Sequence, residues 1–291
     1  MKFIQYLLAT LSITGLILFL EKNCISNDKF EYSLVISNGV ELKLANLIDN
    51  AIKNTQEILD RLEWTHALYP CFNAKNNELF FEAENLRSPT PVWIYAINLS
   101  GKAYEPRKIV EGQAPSINTN YSMLSYYKHP HELWVVSFEN GEKRKIADDI
   151  GNNTPAVWFS EYELLYRNKE NKLVKINGET GAKKDTGIEG IDPSAFSPKI
   201  GKVLCSADGR KIYLYSPENN NLELIKEFKF LSVGRSFVFT NNGDSFLYTR
   251  QTLFKQLQIN EGHDLFICLL NGNETKVLEN VALFGGVFLP D

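Results

Sequence analysis

The sequence predicts an all-β protein built as a β-propeller, and three observations support this prediction. An aromatic or large apolar residue, preceded by a proline in the first four repeats, returns about every 43 residues, a period typical of four-stranded propeller blades. Between these markers, apolar segments alternate with turns rich in Asn and Gly. The 291 residues include 18 Phe and 13 Tyr but only 2 Met, which favours strands, where aromatic and β-branched side chains pack well.

The recurring marker is predicted to begin the innermost strand of each blade. Its clearest copies are Tyr-Pro-Cys-Phe at Tyr69–Phe72, Thr-Pro-Ala-Val-Trp-Phe at Thr154–Phe159 and Asp-Pro-Ser-Ala-Phe-Ser-Pro at Asp192–Pro198. Proline lacks a backbone N–H, so it is tolerated where a strand starts but not within a central ladder. The marker residues, one in each repeat, are Phe72, Ile117, Phe159, Phe196, Phe239 and Phe288.

Two further strands follow each of the first five markers in a constant order. The second strands are predicted at 78–81, 123–126, 163–166, 202–205 and 245–248, and the third strands at 92–97, 132–136, 172–176, 212–215 and 264–268. The turns after the third strands are rich in Gly and Asn, which tolerate the positive φ of hairpin turns. An outer strand is predicted in four of these units, at 107–109, 143–146, 222–225 and 276–278. Five complete blades are therefore predicted.

The sixth marker, Phe288, lies close to the end of the sequence, so segment 282–290 is predicted to be a first strand without a blade of its own. Segments 31–37 and 40–45 flank Asn38-Gly39, a strong hairpin signal. Pairing the two ends of the chain in one blade would close the ring and remove exposed strand edges. Six blades, the sixth built from both chain ends, are therefore favoured over five blades with an appended N-terminal subdomain.

One segment departs from the strand pattern. Between Asn46 and Glu63, apolar residues return at helical spacing, which predicts a short amphipathic helix between the N-terminal hairpin and the first blade. Its apolar stripe is expected to pack against the propeller rim, since such a face normally covers a core.

The N-terminal segment predicts export. Residues Phe3–Leu20 form an uncharged, mostly apolar run that is followed by Glu21-Lys22 and polar residues, an order typical of an export signal. Cleavage after Ser26 is the preferred interpretation. The run also reaches the lower limit of a bilayer span, so a retained anchor that tethers the chain to a membrane through residues 3–20 is the alternative. The predicted location is periplasmic, or membrane-anchored and facing the periplasm or exterior.

These predictions divide the chain into three regions. They are a signal peptide or anchor at 1–26, a hairpin and helix that close the ring at 27–66, and the propeller repeats at 67–291.

Charge and cysteine content narrow the choice of partners. The formal net charge is −4, and a mildly acidic chain lacks the clustered Lys and Arg that phosphate backbones require, so no nucleic-acid partner is predicted. Beyond residue 26, Cys71, Cys205 and Cys268 are an odd number spread over distant repeats. No disulfide framework is implied, and we expect buried thiols, because free Cys is among the most buried residue types.

The fourth repeat carries the clearest motif. Asp192-Pro-Ser-Ala-Phe-Ser-Pro-Lys-Ile-Gly-Lys-Val-Leu is followed by Gly209-Arg-Lys-Ile-Tyr-Leu-Tyr. This unit resembles the repeat of TolB-type, WD-repeat-like propellers of bacterial envelope proteins. The resemblance covers about residues 67–291, although the other units are degenerate and have no Trp-Asp signature. It implies a propeller of the cell envelope. TolB also carries an α/β domain before its propeller, which residues 27–66 are too few to form.

No motif assigns a catalytic or metal centre. The sequence has no Gly-x-Ser-x-Gly elbow, His-Glu-x-x-His pair or phosphate-binding glycine loop, so no catalytic residue is assigned. His129 and His131 alternate in a turn of the second blade, but a zinc site uses three or four protein ligands and nothing nearby completes the set. Neither a metal nor another cofactor is predicted.

The loops before the first strands are the predicted binding surface, because loops at one face of a rigid ring converge on a shared axial mouth. The candidate residues there are Tyr69, Gln113, Asn153, Asp192 and Arg235. Their mixed character suits an envelope protein or peptide as partner, so a non-catalytic scaffold is favoured. The alternative is a propeller hydrolase of the glycosidase type, with Asp149, Glu189 or Asp192 as axial carboxylates.

Overall fold

The computed structural model describes residues 33–37, 41–59, 64–85, 88–101, 104–151, 155–229, 233–250, 263–281 and 285–289. Among these residues there are 24 strands in six antiparallel sheets of four strands each. The described residues contain no helix, and hence none that is long and apolar enough to span a membrane. The signal or anchor predicted at 1–26 lies outside the described residues.

Twenty of the 24 strands form blades 1 to 5 in chain order, and the other four come from the two ends of the described chain. The first three in the chain are β1 (Leu34–Ser37), β2 (Leu42–Ile48) and β3 (Ala51–Leu59). Blade 1 contains β4 (Trp64–Asn73), β5 (Glu78–Asn85), β6 (Ser88–Asn98) and β7 (Arg107–Glu111). Blade 2 contains β8 (Gln113–Ile117), β9 (Met123–Lys128), β10 (Glu132–Ser137) and β11 (Lys143–Ala147). Blade 3 contains β12 (Val157–Trp158), β13 (Glu163–Arg167), β14 (Lys172–Asn177) and β15 (Lys183–Glu189). Blade 4 contains β16 (Asp192–Ser197), β17 (Lys202–Ala207), β18 (Lys211–Ser216) and β19 (Asn221–Glu227). Blade 5 contains β20 (Val233–Phe239), β21 (Ser245–Arg250), β22 (His263–Leu269) and β23 (Glu274–Val281), and the last strand is β24 (Gly285–Phe288).

The first strands of the blades form a closed inner ring. Strand β4 contacts β8, and the contacts continue through β12, β16 and β20 to β24, which contacts β4 again. This arrangement confirms the predicted propeller of six blades.

The sixth blade joins the two ends of the described chain. Strand β24 pairs antiparallel with β1, with Val35 opposite Val287, and β1 pairs in turn with β2 and β3. The Leu289 N–H donates to the Ser33 carbonyl at 2.9 Å and extends the same ladder. The prediction of a composite blade is confirmed, and the five-blade alternative is wrong.

The helix predicted at Asn46–Glu63 is wrong for the residues that the structure describes. They continue β2, turn at Asp49 and Asn50, and return as β3. Both turn residues have positive φ, 52° and 58°, as the tight turns that join antiparallel strands require. Positive φ at Asn54 and two register shifts break the two-residue alternation of this hairpin, and the irregular spacing that results resembles a helical period. Residues 60–63 lie outside the described residues.

Apolar side chains between neighbouring blades form the core. Blades 2 and 3 share a cluster that includes Leu133, Trp158 and Tyr166, and blades 4 and 5 share one that includes Phe237, Phe246 and Tyr248. In the sixth blade, Leu34 packs with Leu247 and Leu265 of blade 5. The three cysteines of the described residues are free thiols, with Cys205 and Cys268 buried and Cys71 half-buried.

Candidate binding site at the axial mouth

The blades place equivalent ends of their strands at one face. In blade 2, the first residue of β8, Gln113, lies opposite Tyr127 near the end of β9. In blade 4, the first residue of β16, Asp192, lies opposite Ser206 near the end of β17. The face defined by the starts of β4, β8, β12, β16, β20 and β24 is called the mouth face below.

An axial cavity of about 110 Å³ lies where the six first strands converge. All six blades contribute to its lining, mostly with proline, small residues and hydroxyl groups. The lining residues are Tyr69, Pro70, Cys71, Pro115, Ser116, Pro155, Ala156, Ser194, Ser236, Phe237 and Gly286. The lining contains no Asp, Glu, Lys, Arg or His among the described residues.

The prolines of the repeat shape this cavity through irregularities in the first strands. The register shifts between Leu68 and Cys71 in β4 and between Gln113 and Ser116 in β8, and Pro70 and Pro115 lie within these two irregular segments. A bulge is one of the few places where a sheet accepts proline. In blades 1 and 2 the proline therefore lies inside the first strand, whereas it was predicted at the start of the strand. In blade 3, Pro155 precedes β12 as predicted.

The five predicted binding residues occupy different parts of the first strands. Tyr69 has φ of 50° directly before Pro70 and lines the axial cavity. Gln113 and Asp192 begin β8 and β16 at the mouth face. Arg235 lies in β20, and its side chain is outside the described part, as is all of Asn153. Tyr69 is therefore the candidate that reaches the cavity, and Gln113 and Asp192 mark the mouth around it.

Asp192 is held by a residue that the sequence did not single out. The Arg167 Nε atom, at the end of β13, lies 2.8 Å from Asp192 Oδ1, and the two side chains are 23% and 13% exposed. This ion pair joins blade 3 to blade 4. The repeat places Arg167 at the end of a second strand, but it does not indicate the contact with the next blade.

A second group of ionisable side chains lies near the start of β4. Glu82 is buried and accepts a hydrogen bond of 2.6 Å from the Ala114 N–H of blade 2. His66 lies 3.9 Å from Glu82 through Nε2 and 3.8 Å from Glu84 through Nδ1. Burial raises the pKa of Glu82 to about 7, against the opposing effect of the Ala114 hydrogen bond. Burial also lowers the pKa of His66, while Glu84 acts to raise it.

The raised pKa of Glu82 predicts a pH-dependent stability. Between about pH 4.5 and 7 the unfolded chain loses this proton while the folded chain keeps it, so stability falls as pH rises through that window. Glu82→Gln keeps an oxygen acceptor for Ala114 and removes the ionisation. We expect the variant to gain about 2–3 kcal/mol over the parent at pH 8 and little at pH 4.5. Urea unfolding at both pH values measures this difference.

The control is Glu84→Gln, two residues along the same strand. An equal gain at pH 4.5 and pH 8 for Glu82→Gln would contradict the prediction.

The carboxylates of the hydrolase hypothesis do not line the axial cavity. Asp149 accepts hydrogen bonds from Lys183 Nζ at 2.7 Å and from the Tyr166 hydroxyl at 2.8 Å. Asp192 is paired with Arg167, and Glu189 is exposed at the end of β15. The two aspartates thus have contacts within or between blades.

The two histidines considered as metal ligands have separate hydrogen-bond partners. His131 Nδ1 lies 2.9 Å from the Ile150 carbonyl, and His129 Nδ1 lies 3.4 Å from the Tyr127 hydroxyl. In the part of the chain that the structure describes, no three His, Cys, Asp or Glu side chains are grouped as a metal site.

A closed ring of six four-stranded blades, with an axial cavity lined by the first strands, defines a six-bladed β-propeller. No protein-family model and no curated protein matches the sequence.

Solved structures show the same fold at low sequence identity. TolB from Acinetobacter baumannii is 13% identical with a TM-score of 0.67, over 90% of this chain and 67% of that one. Putative TolB from Agrobacterium tumefaciens is 10% identical with a TM-score of 0.59, over 89% of this chain and 99% of that one. What this chain shares with these two structures is the propeller fold.

Proposed function

We propose that this chain is an exported, non-catalytic propeller scaffold that binds a protein or peptide of the cell envelope at its mouth face. Gln113 and Asp192 would belong to the contact surface, together with the predicted residues Asn153 and Arg235. Tyr69 would contact whatever part of the partner enters the axial cavity.

The lining of the axial cavity is the observation that carries this proposal. At about 110 Å³, the cavity is smaller than the roughly 300–1,000 Å³ of small-molecule sites. Its walls offer proline rings, small residues and the Ser116, Ser194 and Ser236 hydroxyls. Such walls suit one narrow side chain or chain end of a partner whose main contacts lie outside, on the mouth face.

The same lining argues against the glycosidase alternative. Such enzymes need two carboxyl groups at a defined separation beside the substrate, and the described lining has no carboxylate. Asp149 and Asp192 are engaged with Lys183 and Arg167. A scaffold needs no such pair, because a rigid ring that positions loops is sufficient for binding.

Two observations support the proposed export. The motif of the fourth repeat resembles that of TolB-type propellers, which implies an envelope protein, and the fold of this chain is similar to that of two TolB structures. The uncharged, mostly apolar run at residues 3–20 is followed by charged and polar residues, as in an export signal or anchor.

Site-specific photo-crosslinking in cells that naturally contain the protein tests the proposal. A benzophenone amino acid at Gln113, on the mouth face, is expected to capture one envelope protein as a defined adduct. The matched control is the same probe at Leu224, which is 49% exposed on the outer strand of blade 4. Equal capture of the same proteins from both positions would contradict a binding site at the mouth.

A further inference from the structure

A cleft of about 520 Å³ lies between blades 1 and 2, away from the axial cavity. Its lining includes Glu78 at the start of β5, Asn98 at the end of β6 and Ser137 at the end of β10. Glu78 pairs with Asn73 at the end of β4, so the cleft opens at the face opposite the mouth face. Its volume lies in the range of roughly 300–1,000 Å³ found for ligand sites.

The floor of the cleft is apolar and partly aromatic. Phe80 is 1% exposed, and its ring lies 5.2 Å from the half-buried ring of Phe138, at an angle of 30°. Ile109 and Val136 complete this floor and belong to the core cluster shared by blades 1 and 2. A ligand that reaches the floor would therefore bury an apolar group.

The rim of the cleft is basic. Arg107, Lys108 and Lys143 are exposed there, and the one acidic lining residue, Glu78, is already ion-paired with Arg107. Lys108 Nζ lies 4.9 Å from the centre of the Trp93 ring. Among the described residues, neither Lys108 nor Lys143 has an acidic partner within 4.0 Å. The cleft is therefore positive on a chain whose formal net charge is −4.

An open strand edge forms one wall. Arg107, Lys108 and Ile109 are consecutive residues of β7, the outermost strand of blade 1, so a continuous stretch of this strand lines the cleft. Within the described residues, β7 pairs only with β6. The second edge of such a strand presents backbone N–H and C=O groups that an extended peptide can pair with.

We infer that this cleft binds an extended acidic segment of a partner protein, which adds to β7 as a fifth strand of blade 1. Alternate side chains of the segment reach the Phe138 floor, and acidic side chains meet Lys108 and Lys143. Successive side chains of a strand point to opposite sides, so the segment combines acidic and apolar residues. This site is independent of the mouth face and of the function proposed for it.

Peptide selection on the full chain tests the inference. A random twelve-residue peptide library is selected on the parent protein and counter-selected on Lys108→Glu/Lys143→Glu, in which two exposed cations are reversed. We expect enriched peptides to be acidic with interspersed apolar residues. Each should bind the double variant more weakly by a factor on the order of 100 at low salt, because both charge contacts are lost. Lys199→Glu, at an exposed lysine of blade 4, is the matched control and is expected to bind as the parent does.

N-methylation of the selected peptide tests strand addition. Methyl groups on the backbone nitrogens that face β7 should abolish binding, whereas those on the intervening nitrogens should leave it unchanged. Enrichment of neutral or basic peptides, or the absence of any peptide that discriminates the double variant, would overturn the inference. Two other results would also overturn strand addition and indicate simple anion binding. One is an equal effect of N-methylation at every position, and the other is competition by inorganic phosphate that is as strong as competition by the peptide itself.

Discussion

Deletion of residues 285–291 is expected to abolish the single cooperative unfolding transition of the propeller. Strand β24 pairs with β1 and contacts β4 and β20, so its loss opens the ring and exposes the edge of β1. Leu289 is 1% exposed, and Val287 and Phe288 are half-buried. Their burial alone is worth roughly 5 kcal/mol, comparable with the whole stability of an ordinary domain, about 5–15 kcal/mol. Thermal unfolding followed by circular dichroism measures the loss.

Adding the missing strand as a separate peptide distinguishes ring opening from general damage. A synthetic peptide of residues 282–291 is expected to restore a cooperative transition to the truncated protein, because it can reoccupy the place of β24 beside β1. A peptide of the same composition in scrambled order is the control. Equal stabilisation by both peptides, or an unchanged transition in the truncated protein, would contradict the role assigned to β24.

Glu274→Ala is expected to produce the largest loss of stability from a single polar side chain. Glu274 accepts a hydrogen bond from the Tyr248 hydroxyl and lies 2.7 Å from Arg250 and 3.1 Å from Lys226 of blade 4. All three charged side chains are about one-fifth exposed, so removing the carboxylate leaves two poorly solvated cations at the interface of blades 4 and 5. We expect a loss of about 2–4 kcal/mol in the free energy of unfolding, measured by urea denaturation.

Glu223→Ala is the matched control for this prediction. Glu223 lies 3.2 Å from Lys202, but it is 54% exposed, and exposed ion pairs contribute about 0–1 kcal/mol. Adding Arg250→Met to Glu274→Ala should recover part of the lost stability, because one of the two cations left without the Glu274 carboxylate is then removed. Equal losses for Glu274→Ala and Glu223→Ala would show that the cluster between the blades does not stabilise the ring.

The repeat allowed most of the fold to be predicted from the sequence, because each blade pairs strands that are adjacent in the chain. The outer strand of blade 3, β15, was missed because its exposed Lys183, Lys184 and Asp185 give little apolar alternation. Strand β3 was mistaken for a helix, since positive φ at Asn54 shifts its apolar residues out of step. Both errors fall on outer strands, where packing restricts the sequence least.

The site was less predictable, because it depends on contacts between blades. The repeat indicated that Asp192 begins a first strand, but not that Arg167 of the preceding blade holds it. The hydrogen bond from Ala114 to Glu82 likewise crosses from one blade to the next. Tyr69 reaches the axis through a strand irregularity at Pro70, and a regular repeat does not specify such a local shift.

A disulfide between Val35→Cys and Val287→Cys tests the central claim, that the two ends of the propeller share one blade. These residues are directly opposed in β1 and β24, and opposed antiparallel residues have Cα separations within the roughly 4.4–6.8 Å of disulfides. We expect mild oxidation to form this bond, identified by mass spectrometry of proteolytic peptides. The control, Val287→Cys with Leu224→Cys, joins the innermost strand of blade 6 to the outermost strand of blade 4 and should not crosslink. Failure of the Val35–Val287 pair to crosslink in the folded protein would contradict the composite blade.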